Sequence, residues 1–291
     1  MFLGYLFAVL SSIFLSLYIV PKKFNKTEPF VFTFFIGVGY FITSIIFVLI
    51  YSIFSPINEP IFSIYSLYSL IDGLLWTLAS ICYLKAIDLL GITRASTFKN
   101  LQGPISAILF LFVLSEYKDL NIGLVFLSLL FIFLSQVLFN VNKSGGKLNF
   151  KGIFLGILAS IFFSFNSLVR KICAVHNVVF MEQIYASLVI CVVTFCILII
   201  KNKVNKEMLF NKKNCLGLLS GLFYFFASTF MVLSYSYISG TITSTITKLS
   251  GLFSVFIGIV FFKEINFKKH WLRILLGSFS ILIAVILLLF S

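Results

Sequence analysis

The sequence predicts an all-α membrane protein with ten transmembrane helices, arranged as two inverted five-helix repeats. Its 291 residues are 60% hydrophobic and only 11% charged, whereas a soluble domain of this length needs more charged surface. Apolar runs of about 20 residues recur from one end to the other, which is typical of membrane-spanning helices. These runs do not alternate apolar and polar residues at period two, so we exclude a β-barrel.

The apolar runs divide into ten predicted spans with turns between them. No basic residue precedes the first run, so we interpret it as a retained helix rather than a cleaved signal peptide. Residues 142–150, which include Gly145 and Gly146, are interpreted as a linker between two halves, 1–141 and 151–291. The predicted spans are 2–20, 30–54, 67–89, 92–114, 120–140, 151–170, 178–200, 214–236, 240–262 and 271–290.

The two halves repeat each other at a nearly constant spacing. Gly4 and Gly152 are 148 positions apart, and at the same spacing GLLWTLAS (73–80) matches GLFYFFAS (221–228). At a spacing of 149, Lys99 matches Lys248. Because each half has an odd number of spans, the second half must cross the membrane in the opposite direction. Many secondary transporters are built from such inverted repeats and bind their solute near the midplane.

The formal net charge of +13 is concentrated in short loops. Fifteen Lys and Arg residues follow odd-numbered spans, and only Lys118, Arg170 and Lys171 follow even-numbered spans. The positive-inside rule then places both termini outside the cell. We attribute the basic loops to topology and to anionic lipid headgroups, rather than to nucleic-acid binding.

The fourth span contains Ala95, then Pro104 nine residues later, and ends at Glu116. With ten spans in two repeats, this pattern resembles the EamA-like transporters of the drug/metabolite transporter superfamily. VPKKF (20–24) and GLLW (73–76) are similar to its glucose/ribose uptake and rhamnose-transport branch. The buried lysines resemble those of triose-phosphate and nucleotide-sugar translocators, which contact anionic parts of the substrate. The resemblance implies a secondary transporter with cytoplasmic termini, opposite to the charge bias.

Lys99 and Lys248 lie near the centres of predicted spans, where inserting a charged side chain into the membrane is most unfavourable. A lysine near a helix centre costs about 2.5–3.5 kcal/mol on membrane-insertion scales. We expect the two ammonium groups to bind an anionic or oxygen-rich solute in one central cavity, on opposite sides of the midplane. The alternatives are pairing with a buried carboxylate or snorkelling to the interface. The small polar residues beside them line the cavity or simply pack helices. They are Ser96, Asn100, Ser244 and Thr245.

Other polar and aromatic residues are candidates for solute contact, with ordinary packing as the alternative. Aromatic faces and hydroxyls suit a sugar ring, which presents C–H faces and hydroxyl edges. These candidates are Ser16, Trp76, Ser80, Tyr83, Ser164, Asn166, Tyr224 and Ser228. Three acids are candidates for proton coupling or for structural ion pairs, namely Asp72, Asp88 and Glu182. Lys85 lies three residues before Asp88 and is its expected partner in an ion pair. We expect Glu116 and Glu264, which end their helices near water, to cap or position the loop that follows.

The sequence contains no P-loop for ATP, and its five cysteines and two histidines are scattered. We therefore expect no enzyme activity, no cofactor, no metal site and no disulfide framework. The favoured function is secondary transport of a carbohydrate or sugar-derived anion across the cell membrane. Export of amino acids or drugs is one alternative, and a non-transporting receptor or scaffold is another. Expected partners are a small-molecule substrate and the lipid bilayer, without nucleic acid, for a monomer or homodimer.

A cysteine added after Ser291 tests the orientation given by the charge bias. In a variant without the five native cysteines, this residue should react with a membrane-impermeant maleimide on intact cells. A control cysteine at Lys203, in the lysine-rich loop, should react only after lysis. The reverse pattern would place the termini in the cytoplasm, as the family resemblance implies.

Overall fold

The computed structural model describes residues 2–24, 27–139, 149–204, 208, 211–263 and 267–291. This part of the chain is all-helical, with 84% helix and no strand. Most of the predicted linker and Glu264 lie outside the described residues. The division into two five-helix domains therefore stays a prediction.

Thirteen α-helices follow one another along the described chain. They are α1 (Phe2–Leu17), α2 (Val20–Phe24), α3 (Pro29–Phe54), α4 (Ile64–Leu90), α5 (Ile92–Lys99), α6 (Gln102–Val113), α7 (Ile122–Phe139), α8 (Phe150–Val175), α9 (Phe180–Ile200), α10 (Leu216–Tyr237), α11 (Gly240–Ile246), α12 (Leu249–Val260) and α13 (Phe267–Leu289).

Nine helical segments of the described chain are long and apolar enough to cross a membrane. Eight of them match predicted spans directly, and α11 with α12 forms the ninth. The predicted fourth span consists of α5 and α6, two shorter helices that do not meet this criterion as one segment, so the count of ten stays a prediction. The sixth span is longer than predicted: α8 continues to Val175, which places Arg170 and Lys171 inside a helix rather than in a loop.

Two spans are interrupted near their centres. Between α5 and α6, the Gly103 amide donates to the Asn100 carbonyl at 3.0 Å, and between α11 and α12 the Gly251 amide donates to the Lys248 carbonyl at 2.9 Å. These i→i+3 bonds are 3₁₀ geometry, which often marks a hinge within a helix. Pro104 follows the first interruption, but the second has no proline, so proline is not what breaks these spans.

Helices of the first half pack mainly against helices of the second. The main pairs are α1 with α10, α4 with α8, α3 with both α9 and α10, α4 with α9, and α7 with α13. Small residues let these backbones approach closely, as is usual between membrane helices. A Cβ at Gly221 would lie 2.8 Å from the backbone carbonyl carbon of Gly39, and a Cβ at Gly73 would lie 2.5 Å from the Ala186 carbonyl oxygen.

Gly221→Ala should therefore destabilise the bundle by about 1–3 kcal/mol, the usual cost of overpacking, since the new methyl group would meet the α3 backbone. Thermal unfolding of the purified protein in detergent measures the loss. Gly123→Ala is the matched control, because a Cβ there lies 3.4 Å from its nearest neighbour, Asn121 Oδ1. Equal melting temperatures for the two variants would contradict the close α3–α10 crossing.

Candidate functional site

A buried ion cluster joins three helices of the bundle. Arg170 of α8 lies 3.1 Å from Asp72 of α4 and 3.5 Å from Glu182 of α9, and all three side chains are 0% exposed. The Arg170 Nε–H also points at both Asp72 oxygens, at 3.2 Å each, and Asn166 donates to Asp72 Oδ1 at 2.5 Å. Two carboxylates thus face one guanidinium. The cluster carries an uncompensated negative charge unless a proton neutralises one carboxylate.

Hydrogen bonds extend this cluster to α3 and α10. Gln183 donates to Glu182, and Tyr40 donates to Gln183. The Tyr40 hydroxyl also lies 3.2 Å from Ser228 Oγ. The network therefore connects Asp72, Asn166, Glu182 and Ser228, four residues predicted from the sequence. The connection runs through Arg170, Gln183 and Tyr40, of which the last two were not predicted.

Aromatic rings pack beside the ion cluster. The Tyr224 ring centroid lies 4.6 Å from Trp76, 5.1 Å from Tyr40 and 5.4 Å from Tyr18, and Arg170 Cζ lies 5.6 Å from it. Trp76 Nε1 and Ser80 Oγ, one helical turn apart, are buried without a hydrogen-bond partner among the described residues. Buried polar atoms are nearly always partnered, so these two are suited to contact a solute or water.

The two lysines of the broken spans are buried, with Lys99 5% and Lys248 1% exposed. Within the described part of the chain, no carboxylate lies within ion-pair distance of either ammonium group. Lys99 Nζ lies 5.6 Å from the Tyr83 ring centroid and 5.3 Å from that of Phe163, at cation–π distance. The Tyr83 hydroxyl is 2.7 Å from Ser96 Oγ. The carboxylate alternative considered from the sequence is thus not observed.

The two broken spans cross through reciprocal contacts on glycine. A Cβ at Gly103 would lie 2.6 Å from Lys248 Cγ, and a Cβ at Gly251 would collide with the Asn100 amide nitrogen. Asn100 and Lys248 are 148 positions apart, as are Gly103 and Gly251. The contacts therefore match Lys248 with Asn100, whereas the sequence alignment matched it with Lys99.

Several predicted residues have other partners. Ser16, Ser244 and Thr245 donate to carbonyls of their own helices. Ser164 donates to Ser160 O at 2.7 Å and to Gln102 O at 3.2 Å, across to the first interruption. Their contacts are those of helix packing.

Asp88 lies apart from the central cluster. It contacts Lys22 of α2 at 3.3 Å, and its side chain is 46% exposed. Lys85, the partner expected from the sequence, lies 4.8 Å from the Phe30 ring centroid. Asp88 is therefore an interfacial residue, at the end of α4.

Glu116 caps a helix of the other half, whereas we expected it to act at the end of its own helix, on the loop that follows. Its carboxylate accepts hydrogen bonds from the Gly240 amide at 2.7 Å, the Thr241 amide at 2.9 Å and the Thr241 hydroxyl at 2.8 Å. Lys171 lies 4.0 Å away and donates to the Tyr235 carbonyl at 2.7 Å. Glu116, Lys171 and Tyr235 line a cleft of about 560 Å³ that opens beside the start of α11.

The sequence contained one signal for the buried cations of α8. Polar residues recur at helical spacing along one face, and the stripe continues past the predicted end of the span. Its members are Ser160, Ser164, Ser167 and Lys171, all buried, with Arg170 adjacent. Tyr18, Tyr40, Gln102, Gln136 and Gln183 gave no comparable signal, since single polar residues in apolar spans have no pattern.

Comparisons with known proteins give a family and a fold. The family model described as Sugar transport protein matches residues 37–291. A solved structure titled "Crystal structure of protein" superposes with a TM-score of 0.70, over 98% of this chain and 96% of the other, at 13% sequence identity. At that identity the likeness shows a shared fold alone. No curated protein matches the sequence.

Proposed function

Since the chain belongs to the Sugar transport protein family, we propose that it is a secondary active transporter for a sugar or a sugar-derived anion. The chain is a multi-pass membrane protein of a transporter family. The proposal adds the mechanism: two inverted five-helix halves rock about a central site, which faces each side of the membrane in turn.

Equivalent contacts in the two halves support the inverted repeat. The packing of α4 on α8 corresponds to that of α10 on α1, and the packing of α3 on α10 corresponds to that of α9 on α4. Gly73 and Gly221, which are 148 positions apart, each press against the backbone of the helix in the other half. These correspondences are what a two-fold axis in the membrane plane would produce.

One observation carries the site assignment: two buried ammonium groups beside the interruptions of two crossing spans, without a carboxylate partner in the described chain. Such a charge in a membrane is costly unless a partner offsets it, and intramembrane ionisable groups are usually functional. Hydroxyl or anionic oxygens of a solute would supply that partner. Because Lys248 adjoins an interruption, solute binding there would bias the angle between α11 and α12.

The aromatic group provides a complementary surface for a sugar ring. Trp76 and Tyr224 present π faces, and the unpartnered Trp76 Nε1 and Ser80 Oγ are available for hydroxyls. In this proposal the apolar face of the sugar ring packs against Trp76 and Tyr224, and its hydroxyl edge points toward Lys99 and Lys248.

Among the three predicted coupling residues, we favour Glu182 as the proton carrier. Asp72 already receives two hydrogen bonds from Arg170 Nε–H and Nη2–H, whereas Glu182 lies farther from the guanidinium and its Oε1 has no hydrogen-bond partner among the described residues. Asp88 is half-exposed and lies away from the centre. Binding or release of a proton by Glu182 would change the total charge of the two carboxylates that face Arg170, one on α4 and one on α9.

Uptake by proteoliposomes tests the solute site. Lys99→Met with Lys248→Met should reduce sugar uptake by about 10–100-fold, since hydrogen bonds to a charged group contribute about 1.5–3 kcal/mol. The melting temperature should not fall, because the change removes two buried charges. Lys203→Met, at an exposed lysine paired with Glu28, is the control and should retain uptake. Normal uptake by the double variant would contradict the site, and absence of uptake by the wild type would favour a receptor or scaffold.

Solute accumulation under an imposed pH gradient tests the coupling residue. Glu182→Gln fixes a neutral side chain, so downhill exchange of labelled sugar should persist while proton-driven accumulation is lost. Asp88→Asn is the matched control and should accumulate sugar as the wild type does. Full accumulation by Glu182→Gln would rule out Glu182 as the carrier, and equal accumulation without any pH gradient would point to exchange.

A further inference from the structure

Gln136 is a buried polar residue without a role predicted from the sequence. It lies on α7, is 4% exposed, and shares its surroundings with Asn100, which is 2% exposed and lies at the interruption between α5 and α6. Both side chains end in a carboxamide, a group with one acceptor oxygen and two donor hydrogens.

The two carboxamides converge on one glycine. Asn100 Nδ2 is in contact with the Cβ position of Gly251, and Gln136 Nε2 lies 3.8 Å from the same point. On the other side of the crossing, Lys248 covers Gly103, three residues after Asn100. Three elements, namely α7 and the two interruptions, thus bring polar groups to one place.

One donor and one acceptor remain unused at this place. Gln136 Nε2 donates to Ser135 Oγ at 3.1 Å, but Gln136 Oε1 has no partner among the described residues, and neither has Asn100 Nδ2. A carboxamide that only held helices together would bond to its neighbour across the interface. Burying an amide atom without a partner is unfavourable, so a ligand that supplies both missing hydrogen bonds would be bound more tightly.

We propose that Asn100 and Gln136 form a hydroxyl-binding subsite for the transported solute, a step that rests on the proposed transport function. A hydroxyl is both donor and acceptor, so one hydroxyl can accept from Asn100 Nδ2 and donate to Gln136 Oε1. The Lys248 ammonium then donates a hydrogen bond to a neighbouring oxygen of the solute. The subsite selects solutes that carry a hydroxyl at one ring position and discriminates against those with hydrogen there.

The subsite belongs to one half alone. The position 148 residues after Gln136 is Ala284 of α13, which has no polar group to offer. A solute held by Asn100, Gln136 and Lys248 is therefore bound in a single orientation across the pseudo-symmetric centre. It also engages α7, the helix that packs against α13 at the edge of the bundle.

The test uses the full chain in proteoliposomes, with labelled D-glucose, D-ribose and L-rhamnose, and with each monodeoxy analogue as competitor. For the wild type, one deoxy position should raise the inhibition constant at least about tenfold. Gln136→Leu should raise the KM for the parent sugar by a similar factor and abolish discrimination at that position, with the maximal rate retained. Ser128→Ala, at a buried α7 serine whose hydroxyl donates to the Val125 carbonyl of its own helix, should retain both wild-type values.

An unchanged KM and unchanged discrimination in Gln136→Leu would overturn the subsite while leaving the transport function intact. If the wild type takes up none of these sugars, the proposed function fails, and the subsite fails with it. If Gln136→Leu melts well below the wild type, Gln136→Met keeps the unbranched shape and repeats the test. A second variant that is stable and has the wild-type KM would show that Gln136 only packs helices.

Discussion

The bilayer cannot hydrate a charge, and this constraint determines the interior of the protein. Arg170 meets it by direct pairing: its guanidinium contacts carboxylates from α4 and α9, and the carboxylates in turn bond to Asn166 and Gln183. Removing one partner from such a cluster would leave an uncompensated buried charge, at a cost of about 3–5 kcal/mol. The charged side chains therefore fix the relative positions of α4, α8 and α9. The aromatic rings around Tyr224 pack beside these helices.

Lys99 and Lys248 meet the same constraint differently. Their ammonium groups lie near aromatic rings or beside a helix interruption and lack carboxylates in the described chain. Cation–π contacts offset only part of the desolvation cost. A site completed by its ligand is expected to show this kind of deficit, because a fully satisfied pocket would have little free energy left for binding. The ion cluster pairs one guanidinium with two carboxylates, whereas the two lysines are the groups that we propose bind the solute.

The sequence was sufficient for the membrane class and most span positions, because apolar length is a local feature. It also named Trp76 and Tyr224 as candidates for solute contact, but not their contact with each other, which depends on the relative placement of α4 and α10 in the bundle. It could not supply the 3₁₀ interruptions, which lie where Asn100 meets Gly251 and Lys248 meets Gly103, because these contacts join residues far apart in the sequence. The matching of Lys99 with Lys248 was misleading for a related reason: shared residue type is weaker evidence of equivalence than shared spacing.

The contrast between Asn100 and Lys248 has a consequence for energetics. Two identical halves would give an outward-facing and an inward-facing conformation that are related by a two-fold axis in the membrane plane, and therefore equal in free energy. An amide on one glycine and an ammonium on the other removes that degeneracy. The empty carrier of the proposed inverted repeat then has a preferred resting side. The membrane potential acts unequally on the two halves, because Lys99 and Lys248 have neutral equivalents 148 positions away, Thr247 and Asn100. Divergence of this kind between two repeats would make the two directions of transport energetically unequal.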